Sequence, residues 1–129
     1  MKSQRIVWCT LLGVLIIALL AACSGGTKAP DNSGGQTFNV TATEFQFKPN
    51  KFEAKVSQKV TFKVTNKGTV EHTFVILSPD GKQELTKLTT QPGETKTLEF
   101  TPTEAVTYPI DCNLAGHKEA GMVGELVAQ

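Results

Sequence analysis

The chain has 129 residues, with 13 basic and 12 acidic side chains, which is room for one small domain and not for two. No block of like charge occurs along it, so it lacks the clustered basic face that nucleic-acid binding needs. Three cysteines, two histidines and two methionines are few enough to be weighed one at a time.

The first segment carries Lys2 and Arg5, then an apolar run from Ile6 to Leu20 interrupted only by Thr10 and Gly13. A basic start, a short apolar stretch and small residues at its end predict a secretory signal over residues 1–22. An uncleaved anchor is the rival reading, but the run is short for a bilayer span of about 20 residues. Leu20-Ala21-Ala22-Cys23 resembles a bacterial lipobox, which implies cleavage before Cys23 and a lipid on its sulfur. Loss of Lys2 and Arg5 leaves 11 basic against 12 acidic residues, a mature charge near −1. Residues 23–36 read as the lipidated cysteine and a Gly/Ser-rich tether with almost nothing to bury. Its 13 residues from Ser24 to Gln36 reach roughly 20 Å as a flexible chain. The expected location is therefore export, with lipid anchoring on the periplasmic or extracellular side of a membrane. Cys9 leaves with the signal and Cys23 is taken by lipid, so Cys112 is left as a lone thiol in an oxidising compartment. An exported domain ordinarily pairs its cysteines; with no partner left, metal ligation is an occupation for this one.

From Thr37 to Gln129 the hydrophobic period is two. Phe38, Val40 and Ala42 alternate with polar residues, as do Val60, Phe62 and Val64. Val70, His72, Phe74 and Ile76 share one parity. So do Leu98 with Phe100, and Val106, Tyr108, Ile110 and Cys112. Such alternation predicts half-buried strands. Turn residues separate them at Lys48-Pro49-Asn50, Asn66-Lys67-Gly68, Pro79-Asp80-Gly81, Gln91-Pro92-Gly93 and Thr101-Pro102. Residues 83–90 fit neither period and read as irregular. The predicted fold is all-β, a Greek-key antiparallel β-sandwich of about seven or eight strands.

Parity also aims side chains. His72 lies on the inward face with Phe74 and Ile76, and Cys112 on that of Tyr108 and Ile110. After Cys112 the alternation stops, and Gly116 and Gly121 punctuate a loop able to return His117 and Met122 to the same pole. The set is one thiolate, two imidazoles and one thioether, in a Cys-x4-His-x4-Met run with a strand histidine upstream. Those donors together suit one copper ion cycling between Cu(I) and Cu(II), with His72, Cys112 and His117 roughly trigonal and Met122 weak and axial. Each residue alone is ordinary core. His72 and His117 are the only two histidines, and both fall where the pattern needs them.

Over nearly all of residues 37–129 the chain resembles the cupredoxins, the small blue copper proteins that include plastocyanin, azurin and auracyanin. The resemblance is carried by Glu44-Phe45-Gln46-Phe47-Lys48-Pro49-Asn50, Val60 to Asn66, Glu71 to Ile76, Pro92-Gly93-Glu94, and Tyr108 to Val127. The spacing from Gly116-His117 to Gly121-Met122 is most similar to the auracyanin and sulfocyanin-like branch. The resemblance implies imidazole Nδ1 ligation and a His117 edge that emerges through an apolar patch as the electron's exit. Leu114, Ala115 and Ala120 are candidate members of that patch, where redox partners would dock. Three departures stand out. Thr73 replaces the asparagine that often follows the first ligand histidine, Leu114-Ala115 replaces a common proline, and Glu71 stands where azurins have glycine. Thr73, Asn113 and Glu71 are the candidate partners of the ligands.

The leading expectation is a monomeric, lipid-anchored one-electron carrier serving redox partner proteins. A carrier or store that hands copper to another protein is the second reading; such sites are often methionine-rich, and only Met1 and Met122 are present. An enzyme is not expected, because both histidines are already assigned and none is left for a second metal or a proton relay. A Cys112–His117 hydrolytic pair lacks an evident third member.

Overall fold

The computed structural model describes residues 35–129. The expected signal over 1–22, Cys9, Cys23 and the tether up to residue 34 lie outside the described residues. The tether's expected end moves by one residue, since the first strand already includes Gln36.

Nine strands follow in chain order: β1 (Gln36–Thr43), β2 (Gln46–Lys48), β3 (Lys51–Ala54), β4 (Val60–Asn66), β5 (His72–Leu77), β6 (Glu84–Thr90), β7 (Thr95–Phe100), β8 (Thr107–Asp111) and β9 (Val123–Ala128). They form a four-stranded sheet, β2-β1-β4-β7, and a five-stranded sheet, β3-β9-β8-β5-β6. Inward residues from both faces meet in an aromatic core. The Phe62 ring lies 5.5, 5.1 and 5.1 Å from Phe38, Phe52 and Phe74, and it is fully buried. No described helix is long and apolar enough to cross a membrane.

The sandwich is as expected, but three details differ. The count is nine, and the chain changes sheet at the expected turn Lys48-Pro49-Asn50, so that β2 and β3 lie one in each sheet. That change also makes the sheets mixed. β1 returns beside β4 in parallel, and β3 lies parallel to β9. Residues 84–90 are a strand, not irregular. As an edge strand β6 takes its backbone bonds from β5 alone. It half-buries Leu88 while Leu85 stays 41% exposed, so no apolar alternation is written there.

This topology brings one pole together. Because β1 and β4 run parallel, their C-terminal ends lie side by side, next to the segment that enters β5. β8 is antiparallel to β5, with Val75 opposite Asp111 and Ile76 opposite Ile110. One step further, the end of β8 reaches the start of β5. His72 and Cys112 are therefore neighbours although 40 residues separate them in sequence.

Candidate metal centre

His72 opens β5 and Cys112 follows the last residue of β8. Both are buried, at 1% and 0% exposure, because the inward parity of their strands carries them into the core. His117 comes from the loop between β8 and β9 and is half-buried. That loop is closed by its own backbone. Cys112 N–H donates to Met122 C=O at 3.1 Å, Met122 N–H to His117 C=O at 3.0 Å, and His117 N–H to Leu114 C=O at 3.1 Å. Gly116 and Gly121, at φ of 82° and 103°, supply the left-handed turns that let it fold back. Met122 is thereby held in the core at 0% exposure.

The donor atoms of His72, Cys112 and His117 lie within 4.8 Å of one another. His72 Nδ1 is 3.3 Å from His117 Nδ1, and Cys112 Sγ is 3.4 Å from the same nitrogen. Lone-pair donors this close repel unless a proton or a cation lies among them. Two metal–imidazole bonds of about 2.0 Å put their nitrogens about 3.3 Å apart at an open angle, so the separation fits a first-row ion. Burial and the neighbouring His117 push the His72 pKa down, against an opposing pull from Glu44. The neutral ring is the form that binds metal.

Thr73 ties the segment that carries His72 to the one that carries Cys112. Its backbone N–H donates to Cys112 Sγ at 3.4 Å. Its hydroxyl donates to Asn113 Oδ1 at 2.9 Å and accepts from Asn113 N–H at 3.0 Å. The hydroxyl thus makes both links across the gap that an amide would otherwise bridge. Asn113 extends the chain of bonds to Glu84 through Nδ2 at 3.2 Å. Glu71 accepts instead from Gln91 Nε2, and no side-chain hydrogen bond or ion pair joins it to the donor atoms among the described residues.

Several contributors were not singled out from the sequence. Asn66, fully buried, donates from Nδ2 to the carbonyls of Val70 and Thr90 at 2.8 and 3.0 Å and accepts from Gly68 N–H at 2.8 Å. It shapes the segment that delivers His72. Lys118 reaches back to Asp111 at 2.7 Å, an ion pair that closes the loop from outside. A carboxylate placed directly before the cysteine, on a strand, was the available signal. The Phe45 ring meets His117 edge-on at 4.8 Å. Phe45 and Val70, 41% and 42% exposed, join half-buried Leu114 and exposed Ala115 and Ala120 as apolar surface at this pole.

A family model described as a cupredoxin-like domain matches residues 13–128. The chain is 24% identical over 168 aligned positions to the copper-resistant cuproprotein CopI of Pseudomonas aeruginosa, with 92% of this chain and 93% of that protein covered. Dithionite-reduced auracyanin of Roseiflexus castenholzii superposes with a TM-score of 0.66 at 18% identity, over 74% of this chain and 99% of that one. Auracyanin A of Chloroflexus aurantiacus, described as a blue copper protein, gives 0.65 at 20% identity over 74% and 100%.

Proposed function

The chain belongs to the cupredoxin-like family, and on that footing we propose that it is a type 1 blue copper protein. It carries single electrons between redox partners at the outer face of a membrane. The observation that supports this reading is the approach of two imidazole Nδ1 atoms and one buried thiol sulfur within 4.8 Å. Its cofactor is one copper ion, which His72, Cys112, His117 and Met122 would hold. Copper supplies a one-electron couple between Cu(II) and Cu(I). The protein supplies rigidity: two donors sit at strand ends and two on a loop stapled at both ends, so little rearranges when charge changes. The half-buried His117 ring is the electron's exit, and the apolar surface of Phe45, Val70, Leu114, Ala115 and Ala120 is where partners dock. With a mature charge near −1, docking relies on that surface more than on long-range steering, and exchange rates should depend weakly on ionic strength. Lipid on Cys23 and the following tether hold the domain near the membrane.

Adding Cu(II) to the apo-protein should give intense thiolate-to-copper absorption and narrow copper hyperfine splitting, and a colourless complex would reject the reading. Cys112→Ser should abolish the colour. Met122→Gln should keep it with an altered potential, and loss of all copper from that variant would contradict a weak axial role.

The name of the cuproprotein relative, with its mention of copper resistance, favours a second reading, a carrier that hands copper to another protein. Copper retained through repeated redox cycles supports the electron carrier. Ready surrender of the ion to a competing chelator supports the second.

A further inference from the structure

The Nε2 atom of His72 is buried and has no hydrogen-bond partner among the described residues. A nitrogen of that kind is an unfinished contact. When Nδ1 binds a cation, Nε2 must carry the ring proton, and metal-bound histidines almost always present that N–H to a carboxylate, a carbonyl or water. The acidic oxygen facing it is Glu44 Oε1, at 3.8 Å.

Glu44 is far from His72 in sequence and is held in place by a purpose-shaped loop. Its Oε1 accepts from Thr69 N–H at 2.5 Å, from Val70 N–H at 3.1 Å and from the Thr69 hydroxyl at 3.3 Å. A Cβ on Gly68 would clash with that oxygen, so the glycine leaves room for the carboxylate. Asn66 fixes the same loop from inside through its three bonds. The parallel pairing of β1 with β4 is what sets the end of β1 beside residues 66–70. Hydrogen bonding, chiefly from Thr69 N–H, holds the Glu44 carboxyl below the usual carboxylate range, so it is ionised at neutral pH.

We propose that Glu44 is the positioning residue for His72: its carboxylate receives the Nε2 proton side of the ring and lowers the reduction potential by favouring Cu(II) over Cu(I). The inference rests on the copper reading above. At 3.8 Å the contact is longer than a hydrogen bond. A cation held at Nδ1 would make the Nε2–H more positive and strengthen its attraction to the carboxylate. A fixed negative charge one ring-width from the ion stabilises the state with the extra positive charge more. The two imidazoles are thus treated differently: a carboxylate backs His72, while the edge of Phe45 covers His117.

Glu44→Gln keeps an oxygen for Thr69 and Val70 and removes only the charge. Spectroelectrochemistry on the copper-loaded full domain should show the blue absorption retained and the Cu(II)-to-Cu(I) affinity ratio lowered about 10-fold, a rise of about 59 mV for one electron. Glu99→Gln, which removes an exposed carboxylate paired with Lys59, should leave the potential where it was. A second readout needs no variant: the Cu(I) wild type should show a downfield His72 Nε2–H proton resonance protected from exchange. A Glu44→Gln ratio within about twofold of wild type, or absence of that resonance, overturns the proposal while a blue wild type leaves the copper reading standing. A colourless wild type overturns both.

Discussion

Replacing Thr73 by valine removes one hydroxyl and almost no volume, at a position only 4% exposed. The hydroxyl has a single proton and two acceptors in range, Asn113 Oδ1 at 2.9 Å and Cys112 Sγ at 3.4 Å. The shorter contact to oxygen wins, and the backbone N–H of Thr73 is left to serve the sulfur. Valine therefore loses two bonds, the donation to Asn113 Oδ1 and the acceptance from Asn113 N–H. Each contributes about 0.5–1.5 kcal/mol net, and a part-buried N–H stripped of its acceptor adds to the cost. Together the loss is about 2–3 kcal/mol. At about 4–8 °C per kcal/mol for a domain of this size, the midpoint of the copper-free protein should fall by about 10–20 °C in a circular-dichroism melt. Blue absorption should survive, because the sulfur keeps its backbone donor. A double-mutant cycle with Asn113→Ala isolates the Oδ1 contact, since alanine retains the backbone N–H; its coupling should be about 1 kcal/mol. A fall of less than about 5 °C, or no coupling, refutes the account of Thr73 as the link between the segments that carry His72 and Cys112.

Phe62→Ala should cost about 3–5 kcal/mol, because the ring is fully buried among three others; urea unfolding measures it, and a loss under about 1 kcal/mol would contradict the packing. Lys118→Met should destabilise the copper-free protein by about 1–2 kcal/mol, less than for a fully buried pair because the lysine side chain is 53% exposed while Asp111 is 7%. That penalty should shrink as salt is added, and an unchanged penalty in 1 M salt would argue against an ionic origin. The carboxyls of Glu44, Asp80 and Glu94 are all held below their ordinary values, chiefly by hydrogen bonds from Thr69, Ser78 and Gln91 respectively. The unfolded chain therefore takes up protons first on acidification, and stability present above about pH 4.5 is lost progressively as pH falls below it. Denaturant midpoints that stay level from pH 5 to pH 3 would refute this sign.

Much of the sandwich could be read from the chain because a half-buried strand writes its inner face at period two. Val60, Phe62 and Val64, and Tyr108, Ile110 and Cys112, declare which way they point without knowledge of their neighbours. β6 was illegible for the same reason in reverse: an edge strand beside one neighbour need not alternate, and its Leu85 faces out. The parallel pairings were equally hidden, since they follow from the chain changing sheets at Pro49-Asn50, and nothing local in Gln46 to Ala54 names the sheet that each half joins.

The candidate ligand set divides along the same line. Cys112, His117 and Met122 are close in sequence, so their chemistry and spacing alone marked a metal loop, and strand parity added His72. Glu44 could not be found that way. It meets Thr69 and Val70 across 25 and 26 residues, and what sets it there is the register of β1 on β4 together with a glycine that makes room. Local order and donor type are properties of a chain segment. The carboxylate behind His72, the aromatic edge on His117 and the lysine closing the loop onto Asp111 are properties of which segments the sheets bring side by side.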